Sequence, residues 1–214
     1  TEAGWVTVLR PDEQIERLGS VGREWTGSGP IRLLDANGRE VPDGEVGELH
    51  SRTAYVFDGY WRNPDKSAAA FQGAWCSVGD MARRDADGYF WFVGRSDDVI
   101  KTAGHLVGPF EVESTLMEHA AVSEAAVIGK PDPVAGELVK AFVFLRPGIA
   151  VSDALRSELL GFARTRLGAA IAPRELEIVP GLPRTRSGKI LRRLLRAREL
   201  GLPEGDLSTL EENP

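Results

Sequence analysis

Short extended apolar runs, broken every few positions by glycine, proline or aspartate, fill the chain from residue 1 to about 96. Ile31-Arg32-Leu33-Leu34 stops at Asp35-Ala36-Asn37-Gly38, and Gly47-Glu48-Leu49-His50 and Gly88-Tyr89-Phe90-Trp91-Phe92-Val93 repeat the habit. Runs of this length between turn formers predict a mostly β first half. The polar stretch Gly94-Arg95-Ser96-Asp97-Asp98 ends it. Beyond that break, helical and extended periods mix. Pro109 followed by Phe110, Val112, Leu116 and Met117 predicts a helix with proline in its first turn, running to about His119. Two strands are expected next, Ala125–Ile128 and Ala141–Leu145, separated by a turn at Lys130-Pro131-Asp132-Pro133. Ser152 is a natural cap for a helix through about Leu167, whose Leu155, Leu159, Leu160 and Phe162 lie largely on one side. A short strand over Leu176–Val179 and a final helix over Ile190–Leu200 complete an α+β chain with no repeats or low-complexity tracts. Domains are expected at 1–96 and 97–214.

Composition narrows the function classes. At 214 residues, 42% hydrophobic and 27% charged, the chain is long enough for one or two domains with real cores. Its 26 basic and 32 acidic side chains give a net charge of −6, which argues against a general nucleic-acid or anionic-membrane binder. Cys76 is the single cysteine, so no internal disulfide can form and a reducing cytoplasm is expected. No apolar run approaches the roughly 18 residues that span a bilayer. The opening Thr1-Glu2-Ala3-Gly4 has neither a basic start nor an apolar block, so no signal peptide is expected, and without an initiator Met Thr1 is not expected to be the native start.

Candidate chemistry concentrates in Pro183-Arg184-Thr185-Arg186-Ser187-Gly188-Lys189-Ile190-Leu191-Arg192-Arg193, where one lysine sits on a glycine turn among other cations. The commonest phosphate loop needs Gly six positions before the Lys and Ser or Thr directly after it; those places hold Pro183 and Ile190. Lys189 is therefore not a Walker lysine. The segment alone also suits a basic loop leading into a solvated helix.

Further motifs add a family resemblance. Tyr60-Trp61, Trp75 to Asp80, Asp85-Ala86-Asp87-Gly88-Tyr89, Gly94 to Lys101, Gly108-Pro109-Phe110-Glu111-Val112-Glu113 and Arg186-Ser187-Gly188-Lys189 together resemble the C-terminal part of an AMP-forming acyl-CoA synthetase. Within that adenylate-forming superfamily, Gly108 to Ser114 and the tail Leu202 to Leu210 are most similar to acetyl-CoA and medium-chain acyl-CoA synthetases. The resemblance implies a β-rich remnant of a large adenylating domain followed by a small mobile α+β domain. Members normally carry a further N-terminal region with a Ser/Thr/Gly-rich phosphate loop and the acyl pocket. None of that is among these residues, so the chain is expected to be incomplete alone and to act with that N-terminal remainder.

The implied reaction joins a small carboxylic acid to ATP, releasing pyrophosphate, and then passes the acyl group from AMP to coenzyme A. Lys189 resembles the cation that offsets repulsion between the carboxylate and the α-phosphate. Asp80 stands where the family has the acceptor for both ribose hydroxyls, a task for two carboxylate oxygens. Just before it, Cys76-Ser77-Val78 replaces the Tyr-Arg-Thr type of run seen in many members. Arg95 resembles the arginine that reaches the nucleotide. Thr1 and Glu2 resemble the end of a motif that places Thr near the α-phosphate and Glu on Mg2+, a hard cation taking oxygen ligands. Asp97 resembles the hinge about which the smaller domain turns between half-reactions. Gly104 resembles the glycine lining a pantetheine channel, where a ligand runs against bare backbone. Leu106 occupies a position where many relatives carry Arg. His105 is given no role.

Three other readings stay open. Arg184, Arg186, Lys189, Arg192, Arg193, Arg196 and Arg198, seven cations in fifteen residues, could face RNA or an acidic partner. However, Ile190, Leu191, Leu194 and Leu195 interleave with them as a helical stripe, whose burial would leave the cations as a rim for ATP or CoA phosphates. A carrier-protein-loading adenylation domain shares the motifs. A non-catalytic role as substrate of a regulatory lysine acetyltransferase and deacetylase acting on Lys189 is the third, since acetylation removes the charge.

Overall fold

The structure, a computed structural model, describes residues 2–211. It divides between Asp97 and Asp98 into two compact units. Among the described residues no helix is long and apolar enough to cross a membrane.

In the first unit β1 (Thr7–Val8) pairs antiparallel with β2 (Arg23–Glu24). The main sheet contains β3 (Ile31–Leu34), β4 (Val46–Ser51), β5 (Phe71–Gln72), β6 (Trp75–Arg84) and β7 (Phe90–Arg95). Its order is β3-β4-β6-β5, with β7 also on β6, and every pairing is antiparallel. Side chains alternate across such strands. Ile31, Leu33, Leu49, Ala82 and Phe90 therefore meet in one core, with Val6, Val41 and Val78 against it. Asp35 closes the turn after β3 by accepting from the backbone of Asn37 and Arg39, and Asp85 does the same for Asp87 and Tyr89. Both are the Asx geometry that aspartate favours. Helix α1 (Pro64–Ala70) was invisible to hydrophobic patterning because it buries no side chain; Asn63 caps it by accepting from the Lys66 N–H. The long strand β6 escaped for a related reason, since Gly79-Asp80 and Arg83-Arg84 interrupt its apolar positions.

The second unit contains β8 (Ile100–Thr102), β9 (His105–Val107), α2 (Pro109–Met117), β10 (Val122–Asp132), β11 (Gly136–Leu145), α3 (Asp153–Leu167), β12 (Glu175–Ile178) and α4 (Arg192–Leu200). Its sheet runs β10-β11-β8-β9, with β12 parallel to β11. The parallel partner requires a crossover, supplied by α3. Continuous apolar runs in β10 and β11 reflect burial on both faces. Ala125, Val127, Ala141 and Val143 pack under Val112, Leu116, Leu159 and Ala163 of α2 and α3. Ala126, Ile128 and Phe142 meet Leu195 of α4 and, beside it, Leu182 and Ile190. Ser152 caps α3 by accepting from the Leu155 N–H at 3.1 Å.

Two boundaries differ from the sequence expectation. Lys130, Pro131 and Asp132 belong to β10, paired with Leu138, Glu137 and Gly136, and the turn follows at residues 133–135. Proline is tolerated there because β10 is an edge strand. The last helix starts at Arg192, because Ile190 is bridged to Arg184 across the lysine loop.

Candidate functional site

In the first unit the site grows from an irregularity in β6. Glu48 of β4 lies opposite Met81, and His50 lies opposite Ser77. Between those pairs β4 has only Leu49, whereas β6 has Val78, Gly79 and Asp80. The surplus bulges out, and bulges of this kind re-aim side chains. Gly79 turns the chain with φ +73°, a conformation that favours glycine. Asp80 then sits directly across from Arg95 of β7. Arg95 Nη1 donates to Asp80 Oδ1 at 3.1 Å and to the Val78 carbonyl at 3.2 Å, and its Nε lies 3.7 Å from Asp97 Oδ1. One Asp80 oxygen is thus held, while Oδ2 has no partner among the described residues.

A cleft of about 200 Å³ opens beside this pair, lined among others by Glu2, Tyr60, Lys66, Ser77, Gly79 and Arg95. Tyr60 Oη donates to Glu2 Oε1 at 3.4 Å. Glu2's own backbone N–H holds its carboxyl below the usual range, so it is ionised at neutral pH. Burial, with Glu2 nearby, pushes the Tyr60 hydroxyl and the Cys76 thiol up, so both stay protonated. Lys66 Nζ stands 4.0 Å from the Tyr60 ring centre. The cleft therefore offers two carboxylates, Glu2 and Glu48, an aromatic face and two cations. Among the described residues no three His, Cys, Asp or Glu side chains gather to hold a metal. Glu2 alone suits Mg2+, which needs one or two protein carboxylates and takes its other ligands from phosphates and water. Thr1 lies outside the described residues.

In the second unit, Lys189 and Gly104 occupy two different hairpins. Gly104 follows Ala103 in the two-residue turn between β8 and β9, with φ +84° and +46°. Positive φ at both central positions matches the hairpin turn whose twist suits its strands. No atom lies within 4 Å of where a Gly104 side chain would start, so the turn offers bare, open backbone. Lys189 closes a tight loop: Thr185 and Gly188 exchange 2.8 Å hydrogen bonds with Lys189 O and Thr185 O, and Thr185 Oγ1 accepts from the Lys189 N–H at 3.0 Å. Gly188 has φ +81° with open space around it, so glycine is required there for its torsion and not for room. The tail clasps the loop through Arg186 N–H to Thr209 O and Glu211 N–H to Arg184 O. The Lys189 side chain is exposed, and its ammonium has no partner among the described residues.

The arginines around Lys189 correct the expectation of a cationic rim. Arg184 is paired with Glu124, Arg196 with Glu137, and Arg198 with Glu204. Arg193 donates to the carbonyls of Glu204 and Asp206. Arg192 forks onto buried Glu113 at 2.9 and 2.6 Å, 3.6 Å from Asp98. Among the described residues five of the seven cations thus bind the protein itself, and Lys189 and Arg186 are the exceptions.

This geometry, a carboxylate and arginine at a cleft in one unit and a lone presented lysine in the other, accompanies two family matches. Residues 1–61 match the AMP-binding enzyme model and residues 111–189 match the AMP-binding enzyme C-terminal domain. The chain belongs to the AMP-binding enzyme family. It is 50% identical over 197 residues to acetyl-coenzyme A synthetase of Bacillus subtilis (strain 168), covering 91% of this chain and 34% of that protein. It is 44% identical over 178 residues to the mitochondrial acyl-coenzyme A synthetase ACSM5 of Rattus norvegicus, covering 80% and 31%. This member of the family thus spans about a third of the length of the curated relatives it matches. Among solved structures, o-succinylbenzoate CoA synthetase from Bacillus subtilis in complex with its acyl-adenylate superposes with a TM-score of 0.79 at 29% identity, covering 98% of this chain and 40% of that one. The anthranilate CoA ligase AuaEII in complex with anthranoyl-AMP gives 0.76 at 43% identity, covering 85% and 35%.

Of the candidate residues, the first unit of this family member gathers Glu2, Asp80, Arg95 and Asp97. Sequence reasoning passed over Glu48 and Lys66, which line the same cleft, and the Glu113–Arg192 pair behind the lysine loop. Glu48 carried no signal beyond its place in a short strand. Glu113 did: an acidic residue beside Val112 and three before Leu116, on the side of α2 that the helical pattern expects to be buried, needs a partner.

Proposed function

We propose that the chain is part of an ATP-dependent acyl-CoA synthetase that activates a short- or medium-chain carboxylic acid as its acyl-adenylate and transfers it to coenzyme A. The observation that carries this reading is the Asp80–Arg95 pair at the edge of the cleft, with one Asp80 oxygen left to accept. Asp80 accepts the ribose hydroxyls of ATP, and Arg95, half-exposed beside it, balances nucleotide charge. Glu2 would hold Mg2+, which when bound supplies charge neutralisation to the phosphates. Lys189 is the ammonium of the adenylation step: carboxylate oxygen attacks the α-phosphorus, the bond to pyrophosphate breaks, and the accumulating negative charge is offset. The coenzyme A thiol then attacks the acyl carbon and AMP leaves. Gly104 presents bare backbone to the pantetheine arm, and Asp97 is where backbone torsions change between the two steps. A cytoplasmic setting suits these substrates.

Lys189 is also the residue a lysine acetyltransferase would modify, because its ammonium is exposed and unengaged among the described residues, and loss of its charge would stop adenylation. Half-reactions of the full-length protein test the role. Lys189→Ala should lower pyrophosphate exchange into ATP by a factor of about 100 or more, the scale of losing one charge-stabilising group. Thioester formation from preformed acyl-adenylate should survive. Equal loss of both steps would remove Lys189 from the mechanism.

A further inference from the structure

We infer that Glu48 and Ser77 are positioning residues for the nucleotide: they clasp the β6 bulge that aims Asp80. The inference rests on reading Asp80 as the ribose acceptor. Where β4 has one residue and β6 has three, the bulged backbone loses its ladder partners and must find others. It finds them in side chains. The Gly79 N–H donates to Ser77 Oγ at 3.1 Å, and the Ser77 hydroxyl donates in turn to Glu48 Oε1 at 2.6 Å. A hydroxyl bonded at that distance to a carboxylate is charge-assisted, about twice as strong as a neutral bond. Behind Glu48, Nε2 of buried His50 lies 3.8 Å from its Oε2, beyond hydrogen-bond reach. On the other side the Ser96 N–H donates to Gly79 O at 3.0 Å and Arg95 holds Val78 O.

The three bulged residues are therefore pinned on both flanks, by the Glu48–Ser77 relay on one and by Arg95 and the Ser96 N–H on the other. Neither residue needs to touch the ribose. Ser77 acts through Gly79, one position before Asp80, and Glu48 acts through Ser77. The relay from Glu48 through the Ser77 hydroxyl to the Gly79 N–H is thus how this sheet holds the bulge. Removing the hydroxyl leaves the Gly79 N–H unsatisfied and lets the Asp80 backbone move. The chain loses aim at two hydroxyls spaced along a ribose edge.

The experiment compares ATP with 2′-deoxyATP in pyrophosphate exchange by the full-length protein. Asp80→Ala first checks the underlying reading: it should raise KM for ATP and erase the preference for ATP over 2′-deoxyATP. If it does neither, the ribose assignment falls and the clasp with it. Given that result, Ser77→Ala should raise KM for ATP about tenfold, leave kcat within about twofold, and shift KM for 2′-deoxyATP much less. Ser77→Thr, which keeps a hydroxyl, should restore the wild-type preference. Glu48→Ala should match Ser77→Ala, Glu48→Gln should keep most of the effect of wild type, and Ser77→Ala with Glu48→Ala should add little to either. If Asp80→Ala behaves as expected but Ser77→Ala changes both nucleotides equally, or only lowers the melting temperature, the clasp is structural and the inference is overturned. Should Ser77→Ala fail to fold, Glu48→Gln against Glu48→Ala makes the same comparison.

Discussion

Gly79 shows how a single residue can set a site. Its φ of +73° excludes other residues at a cost of about 1–2 kcal/mol, and a methyl group added there would come within 2.7 Å of Arg95 Nη2. The neighbour is the free end of a long side chain, so the guanidinium swings aside while the sheet survives. Gly79→Ala should therefore destabilise the protein by only about 1–2 kcal/mol in urea unfolding, yet weaken ATP binding about tenfold by calorimetry as Arg95 leaves Asp80. Unchanged ATP affinity in a folded variant would show that Arg95 does not need its place over Gly79. Lys189 presents the opposite case. Thr185, Gly188 and the tail fix its backbone, while its ammonium has no partner among the described residues. A charge held clear of its neighbours retains its full effect for a ligand.

At the scale of elements, α4 is tied to the rest of its unit by charge as much as by Leu194 and Leu195. Arg192 at its start forks onto Glu113 of α2, and Glu113 Oε1 also accepts from the Val127 N–H of β10 at 2.9 Å. That acceptor satisfies a donor on the open edge of the sheet. Glu113→Ala leaves Arg192 and Val127 without it, a loss of about 3 kcal/mol on the scale of breaking buried pairs, measurable as a shift in the urea midpoint. Arg192→Leu should cost at least as much, because it leaves a buried carboxylate unpaired; a cost below about 1 kcal/mol for both would show the pair to be hydrated. How far the elements were legible follows from the same physics. α2, α3, β10 and β11 announced themselves because burial on one or two faces writes a period into the sequence. α1 buries nothing and β6 is bent by its bulge, so neither left a period to read. Asp80, Arg95 and Lys189 stood out through motif resemblance, whereas Glu48 and Ser77 acquire meaning only from a strand register that no local pattern encodes.

At the scale of the whole molecule, charge is arranged to be used internally. Lys130 is bonded to Glu175 and Glu199 at 2.9 Å each, and Lys140, buried, to Glu177 and Glu199 at 3.0 and 2.5 Å. With most of the tail arginines paired as well and a net charge of −6, random RNA should bind too weakly to be retained on a filter at moderate salt. Tight, salt-sensitive retention would revive an RNA-binding surface around Lys189. The same pairs set the pH range of stability. The hydrogen bonds that Lys130 donates to Glu175 and then Glu199 push it up to about 12 from 10.5, so its contribution is complete below about 10.5 and is lost as pH rises through about 12. His50 acts in the opposite sense. Burial pushes its imidazole below 6.5 despite the opposing pull of Glu48, so the folded protein resists a proton that the unfolded chain accepts. Stability should then be flat from about pH 7 to 8, fall above about 9 as the unfolded chain gives up the Cys76 proton that burial retains in the folded one, and fall as pH drops below about 6.5. Asp35 and Asp132, held below 3.8 chiefly by backbone N–H donors, add their losses only when pH falls below about 4. The interval from pH 6.5 to 5 therefore isolates His50. Calorimetric melts of the full-length protein across that interval should show a falling Tm, and His50→Gln, which cannot titrate, should flatten it. An identical slope in the variant would place the proton uptake elsewhere.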